Sequence, residues 1–333
     1  MPAPTDKLFT YTEGYFLTKS LLALWRLGLL GDADISIDPD KVAADLGCDA
    51  RLLRATLDYL IIRDVFVKDD GGLYRLSEHG RELAPYYGYL PMHVGAYEPI
   101  FGRYEEVLRG DLVYGRNLRR AEHELVGGMS AMEEHLLAHL TGLMDQMSFT
   151  GVLDLGCGSG RMLSQVLRRG PDLRGVGVDQ AEQACEKARH NLAAEGLAGR
   201  TTILHGDASR LTELPAEVLE QVDLVIAMFV MHEIHWQRSR EGVISCLRSI
   251  ADVIGADGRF LMVEVSRIAA EKPRPGLRFI PEYQLVHEYS HQRLATEQEW
   301  RDMLGEAGLQ VLRTEPAGMC EAFCFVIGAQ TTT

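Results

Sequence analysis

Two groups of residues in this chain have the types and the spacing to do chemistry. The first is Asp154-Leu155-Gly156-Cys157-Gly158-Ser159-Gly160, in which glycine recurs at every second position directly after an apolar run. Lacking Cβ atoms, Gly156, Gly158 and Gly160 can form a tight turn and let the backbone approach a ligand closely. Acids stand at the ends of the next two apolar runs: Asp179 after 175–178, where a carboxylate could accept both hydroxyls of a ribose, and Asp207 after 202–206. This is a site for a nucleotide-like cofactor. The second group is imidazole. His232, Glu233, His235 and Trp236 follow the apolar run 222–228, and His287 and His291 come later. Histidine can accept a proton near neutral pH because its unperturbed pKa is about 6.5. The spacing of four places His287 and His291 on one helical face. Two imidazoles from separate segments could also hold a metal with open positions, and His232 with His287 is the candidate pair. Glu233 would then be a third ligand or an acceptor for metal-bound water.

The elements that must position these groups are strands. Runs at 152–155, 175–178, 202–206, 222–228 and 258–265 alternate with helical stretches, which is the pattern of a parallel sheet. Ligands bind outside the carboxyl ends of such strands, where the acids and His232 stand. Glu264, near the end of the fifth run, borders the cofactor or supports the base. A nicotinamide fingerprint would place a glycine at 161, but Arg161 stands there, so a pyrophosphate reading is disfavoured. The tail, 309–315 and 319–327 across Pro316-Ala317-Gly318, reads as an antiparallel pair. The helix before it opens with a capping box, Thr296 to Glu299.

Upstream, residues 14–31 are apolar nearly all round and end in glycine, so such a helix needs cover on every side. Asp38 and Asp49 cap helices predicted over 40–46 and 50–63, and 65–67 with 73–76 form a hairpin around 69–72. Together they make a helix-turn-helix with a wing. Residues 1–90 carry ten Lys/Arg against fourteen Asp/Glu, a poor balance for reading DNA. The stretch 84–118 holds Tyr86, Tyr87, Tyr89, Tyr97, Phe101, Tyr104 and Tyr114 with Arg103, Arg116 and Arg119, which could line a substrate cavity or simply pack. Met129, Met132, Met144 and Met147 follow at helical spacing, either as core or as a flexible wall.

The 333 residues, 46% hydrophobic, suffice for one large core and a smaller one. No apolar run reaches the roughly 18 residues needed to span a bilayer, and no secretory signal is visible, so the expected location is cytoplasmic. The six cysteines, at 48, 157, 185, 246, 320 and 324, show no Cys-x-x-Cys spacing and read as reduced, buried residues. A net charge of −14 argues against nucleic-acid binding.

The order of motifs resembles the class I S-adenosylmethionine-dependent methyltransferases, whose first motif, hydrophobic-Asp-x-Gly-x-Gly-x-Gly, is matched by residues 154–160; the likeness spans roughly 120–329. It implies an α/β, Rossmann-like, seven-stranded sheet. It also implies that Asp154 and Gly156 hold the methionine end of S-adenosylmethionine along the turn of Gly158 and Gly160, that Asp179 beside Gln180 holds the ribose, and that Asp207 with Ala208 holds the adenine. The N-terminal module resembles the winged-helix dimerisation domain of small-molecule O-methyltransferases, which implies a homodimer. The domains expected are 1–90 for dimerisation, 91–148 for helices lining the substrate pocket and 149–333 for catalysis. In that family a hydrophobic-His-Asp/Glu-x-x-Trp-like signature supplies a general base, and His232 falls on it.

With His287 and His291 reached, the chain looks like the α-keto acid C-methyltransferases. That likeness implies a metal held by His232 and His287 (iron, zinc, cobalt or manganese), a 2-oxo acid substrate and enolate chemistry at the carbon beside the ketone. His235 or His291 would accept the proton, Arg116 would hold the substrate carboxylate, and Tyr97 and Phe229 would touch the substrate. Acids at 233, 282 and 288 could favour a cationic side chain such as a guanidinium. Metal-free O-methylation with His232 as base stays open, as does a non-catalytic regulator built on the winged module.

Overall fold

The computed structural model describes residues 4–268, 271, 279–317 and 322–330. The chain divides into two compact units, Met1–Glu134 and His135–Thr333.

The first unit is built on local caps. Helix α1 (Pro4–Arg26) is followed by strand β1 (Ser36–Ile37), α2 (Pro39–Leu46), α3 (Ala50–Ile62), β2 (Phe66–Lys68) and β3 (Tyr74–Leu76). Asp38 accepts the amides of Asp40 and Lys41, and Asp49 those of Arg51 and Leu52. Each cap is worth roughly 1 kcal/mol. In the hairpin turn Asp69 accepts the amides of Gly71 and Leu73 at 2.9 and 3.0 Å. β3 pairs antiparallel with both β1 and β2. Leu53, Leu57 and Leu60 of α3 pack with Ile37, Phe66, Tyr74 and Leu76 of this sheet and with Leu21 and Leu24 of α1. Beyond β3 come α4 (Glu78–Leu83), a π-helical turn (Pro91–Gly95), α5 (Glu98–Phe101) and α6 (Tyr104–Arg109).

Helix α1 begins ten residues before the apolar stretch that announces it, with Pro4 at its first position and Asp6 favourably placed in its first turn. It is not covered on every side. Leu21, Leu22 and Leu24 are buried, but Leu8, Phe9, Tyr11, Tyr15 and Phe16 are 57–74% exposed. Helix α7 (Glu122–Met144) contains the division between the units. The side chains of Met129 and Met132 lie outside the described residues, whereas Met144 is fully buried.

In the second unit the parallel strands are β4 (Gly151–Leu155), β5 (Arg174–Asp179), β6 (Thr201–His205), β7 (Leu224–Met228) and β8 (Arg259–Val265). β9 (Leu309–Pro316) and β10 (Ala322–Ala329) complete the order β6-β5-β4-β7-β8-β10-β9, with β10 antiparallel to β8 and to β9. The strand order reverses at β4, so the crevice of the sheet opens beside the glycine turn. The helices are α8 (Arg161–Leu167), α9 (Glu182–Ala194), α10 (Ala216–Leu219), α11 (Met231–Ile254), α12 (Ile280–Tyr289) and α13 (Glu297–Glu306). Val225, Ala227, Phe260, Met262 and Phe325 of the sheet pack against Leu247 and Ile250 of α11 and Trp300 and Leu304 of α13. The capping box at Thr296 and Glu299 is formed. Of the cysteines, 157, 185, 246 and 324 are buried free thiols and Cys48 is half-buried, while Cys320 and Met319 lie outside the described residues. No helix among the described residues is long and apolar enough to cross a membrane.

The π-helical turn of the first unit carries His93, whose burial pushes its pKa down to about 4. Between that value and about 6.5 the unfolded chain binds a proton that the folded chain refuses. Stability therefore falls as pH drops through this window, by up to about 3 kcal/mol below both values. Urea unfolding at about pH 7 and about pH 4.5 should show a smaller acid loss for His93→Gln than for the wild type. Equal losses would sink this assignment.

Candidate active site

The glycine turn is tied to β5 by its own backbone. The amides of Gly156 and Cys157 donate to the Val178 carbonyl at 2.8 and 3.1 Å. Gly156 has φ 71°, and a Cβ there would stand 2.7 Å from Val230 Cγ2. Gly160 has φ 78°, precedes α8 and packs against Ala188 and Leu192 of α9. Both positions require glycine on conformation and on space. Asp154 is buried in β4, two residues before Gly156 opens the turn.

Asp179 closes the turn from the β5 side: its Oδ2 accepts the Gly158 amide at 2.9 Å and its Oδ1 the Ala181 amide at 2.9 Å. A carboxylate offers about four lone-pair sites, so it retains capacity for two hydroxyls. The Gln180 side chain is exposed, and its carbonyl meets His205 Nε2 at 3.0 Å. At the end of β6, Asp207 Oδ1 accepts the amide and hydroxyl of Ser209 at 2.9 and 2.6 Å, and its Oδ2 is paired with Arg238. Burial pushes the Asp207 carboxyl up, but Ser209 and Arg238 more than reverse this and hold it below the usual range. Ala208 is half-buried against the core.

Beyond β7, Phe229 adopts φ 54°, and α11 begins at Met231. His232 and Glu264 are both buried, Glu264 completely. Glu264 accepts the His232 amide at 3.2 Å and its Nδ1–H at 2.7 Å. The His287 ring stands edge-on to His232, with centroids 5.1 Å apart, and stacks on Tyr283 at 4.0 Å. His287 Nδ1 lies 2.7 Å from the Tyr283 carbonyl. A carbonyl can only accept, so Nδ1 carries the hydrogen and Nε2 the lone pair of the neutral ring.

Residues 152–258 match the family model for the methyltransferase domain. The chain is a class I S-adenosylmethionine-dependent methyltransferase. It is 28% identical to the 2-ketoarginine methyltransferase of Streptomyces arginensis, covering 90% of this chain and 87% of that one. It is 26% identical to the phenazine O-methyltransferase PhzM of Lysobacter antibioticus, covering 93% and 92%. The solved structure of PigF with SAH shares the fold, with a TM-score of 0.74 at 21% identity, 99% of this chain and 100% of that one being covered. The two full-length relatives set the methyltransferase in the small-molecule, O-methyltransferase-like family, and the solved structure shows the fold.

Within the methyltransferase the imidazoles are arranged differently from what spacing alone predicts. His287 and His291 do not share a helical face, because α12 ends at Tyr289 and His291 turns out with φ 57°. His291 lies against Trp236, ring centroids 5.1 Å apart. His235 is buried against Trp300, and desolvation lowers its pKa, the charge of Arg293 adding to the effect and the Arg293 backbone opposing it. The Glu233 carboxylate accepts from Gln292 Nε2. Among the described residues no group of three or more His, Cys, Asp or Glu side chains is arranged to hold a metal. Glu282 and Glu288 are exposed. Tyr97 and Arg116 belong to the first unit, where Tyr97 is buried and Arg116 stands on the surface.

Three partners were not legible in the pattern: Tyr283 behind His287, Gln292 on Glu233 and Arg238 on Asp207. The four-residue spacing of Tyr283 and His287 on a helix is the one available signal among them.

Gly156→Ala should weaken S-adenosylhomocysteine binding at least about tenfold, since the turn must move away from Val230 and a left-handed residue gains a Cβ. Titration calorimetry on the folded variant checks this, and unchanged affinity would refute it. Glu264→Gln should lower kcat by about a hundredfold, because the amide no longer stabilises the charged ring or enforces its tautomer. Steady-state kinetics at saturating methyl donor provide the measurement.

Proposed function

We propose that this methyltransferase transfers a methyl group to the carbon beside the ketone of a 2-oxo acid, with S-adenosylmethionine as donor. The observation carrying this reading is the His232–His287 pair, in which each Nδ1–H is committed to an acceptor and each Nε2 bears a lone pair. The rings stand 5.1 Å apart, and Glu264 and the Tyr283 carbonyl are the acceptors that would orient them as ligands. A divalent or ferric ion of iron, zinc, cobalt or manganese suits this donor set. When bound, such an ion would polarise the ketone and make the neighbouring C–H acidic enough for a weak base.

The protein's own groups do the rest. His291, the accessible imidazole beside Trp236, takes the proton from carbon; His235 is sealed against Trp300. The new C–C bond forms as the S–CH₃ bond breaks, and the sulfonium leaves as a neutral thioether. Asp154 and the glycine turn hold the methionine end, Asp179 the ribose and Asp207 with Ala208 the adenine, so the methyl group is presented at the edge of β4 next to the histidines. Phe229 borders the substrate. The likeness to a 2-ketoarginine methyltransferase supports a 2-oxo acid and makes a guanidino side chain the first to test.

One observation favours a second reading. The buried His232–Glu264 pair is by itself a carboxylate-oriented base, sufficient to deprotonate a hydroxyl without any metal, and the likeness to a phenazine O-methyltransferase points the same way. The first unit serves in either case as a winged-helix dimerisation module, its exposed apolar face on α1 covered by a second copy of the chain.

Incubation with labelled methyl donor and a panel of 2-oxo acids, including the guanidino one, should yield a product with a new C–CH₃ bond by NMR. An O–CH₃ product, or full activity after exhaustive chelation, would exclude the first reading. His287→Ala should lower turnover at least about a hundredfold while leaving S-adenosylhomocysteine affinity within about twofold. Phe9→Glu with Phe16→Glu should halve the mass seen by light scattering, and a monomeric wild type would refute the dimer.

A further inference from the structure

Arg238 lies outside the glycine turn, the acids and the histidine cluster, yet the backbone around it is shaped to deliver it to one place. The span α11 is two helices meeting at a kink: Ser239 has φ 62° and ψ 179°, so residues 231–238 form a two-turn segment separate from the long helix behind it. A non-glycine residue in this region is strained and persists only where its surroundings impose it. Gly242 supplies the room. A Cβ at that position would stand 2.3 Å from Arg238 Cβ, the root of the side chain, which cannot swing away. The guanidinium so placed pairs through Nη2 with Asp207 Oδ2, at the end of β6. Arg210 Nε is more distant, 3.5 Å from the same oxygen.

This arrangement points to a specificity role that rests on the reading of Asp207 as the adenine-side acid. We infer that Arg238 is a positioning residue that holds the Asp207 carboxylate ionised and aimed, so that it accepts the exocyclic amino group of the donor's adenine. Ser209 fixes Oδ1 through two hydrogen bonds, and Arg238 fixes Oδ2; the carboxylate has no rotational freedom left and still has lone-pair capacity to accept an N–H. A purine carrying oxygen in place of the amino group would set an acceptor against a fixed anion. Discrimination against it is the function the pair provides.

Calorimetry with S-adenosylhomocysteine and its deaminated analogue, S-inosylhomocysteine, tests this directly. The wild type should prefer the adenine compound by at least about tenfold, as expected for a hydrogen bond to a charged group. Arg238→Met, which keeps the stem and removes the charge, should weaken the adenine compound about tenfold, leave the inosine compound within about twofold and so erase the preference. Arg238→Lys should recover part of it. Gly242→Ala, which retains the charge but displaces the stem, should reproduce the loss, and thermal melting checks that each variant is folded. Tighter binding of either compound by Arg238→Met would make the arginine an obstruction and overturn the inference; so would a wild-type preference that survives in Arg238→Met. A wild type with no preference would show instead that Asp207 does not read adenine, which removes the inference together with that assignment and leaves the methyltransferase assignment standing.

Discussion

The structure of the catalytic unit depends on one buried carboxylate. Glu264 is completely removed from solvent, near the end of β8 where the sheet meets its crevice. An anion there is costly unless it is paired and hydrogen-bonded, and His232 supplies both with its backbone amide and its ring Nδ1–H. The consequence runs in two directions. Toward the fold, the pair stitches the start of α11 to the neighbouring strand, so the segment leaving β7 cannot drift from the sheet. Toward chemistry, it fixes which ring nitrogen carries the lone pair, because a carboxylate on Nδ1 leaves Nε2 as the basic or ligating atom.

The cofactor side obeys the same logic with backbone in place of imidazole. Asp179 is committed to the amides of Gly158 and Ala181, and Asp207 to Ser209, so each acid is oriented before any ligand arrives. The glycine turn after β4 is held on Val178 and packed close to Val230. Val230 lies two residues before His232. The glycine turn and the segment carrying His232 therefore share a van der Waals boundary, and a change in either is felt by the other.

Legibility in the sequence followed the range of the interactions. The glycine turn, the acids at or just past the ends of β5 and β6, the Asp38 and Asp49 caps and the Thr296 capping box are local devices, and each stands where its residues predict. The tail pair was also readable, since an antiparallel connection needs only two apolar runs and a turn. What periodicity could not convey was termination. The pattern around His287 runs on past Tyr289, but the helix does not, so the predicted His287–His291 face never forms. Helix α1 failed differently: its apolar residues imply cover all round, while the described chain covers only part of it. Contacts such as Arg238 with Asp207, between residues far apart in sequence, depend on a left-handed Ser239 that no propensity announces.

Strain marks the same region. The described residues other than glycine with positive φ include Phe229 and Ser239, which bracket the segment carrying His232, and Phe279 and His291, which bracket the helix carrying His287. Each such residue costs on the order of 1–3 kcal/mol. A two-turn helix gains little stability of its own, because nucleation consumes most of what its few hydrogen bonds return. Segments so short, bounded by unfavourable conformations at both ends, must be held by tertiary contacts: Glu264 on His232, Gln292 on Glu233 and Tyr283 stacked on His287. The gain is geometric. Between residues of positive φ, two short helices present their imidazoles edge to face 5.1 Å apart. Stability has been given up locally so that two rings from distant parts of the chain meet at a defined angle, and that trade is expected where the rings act on a ligand rather than fill a core.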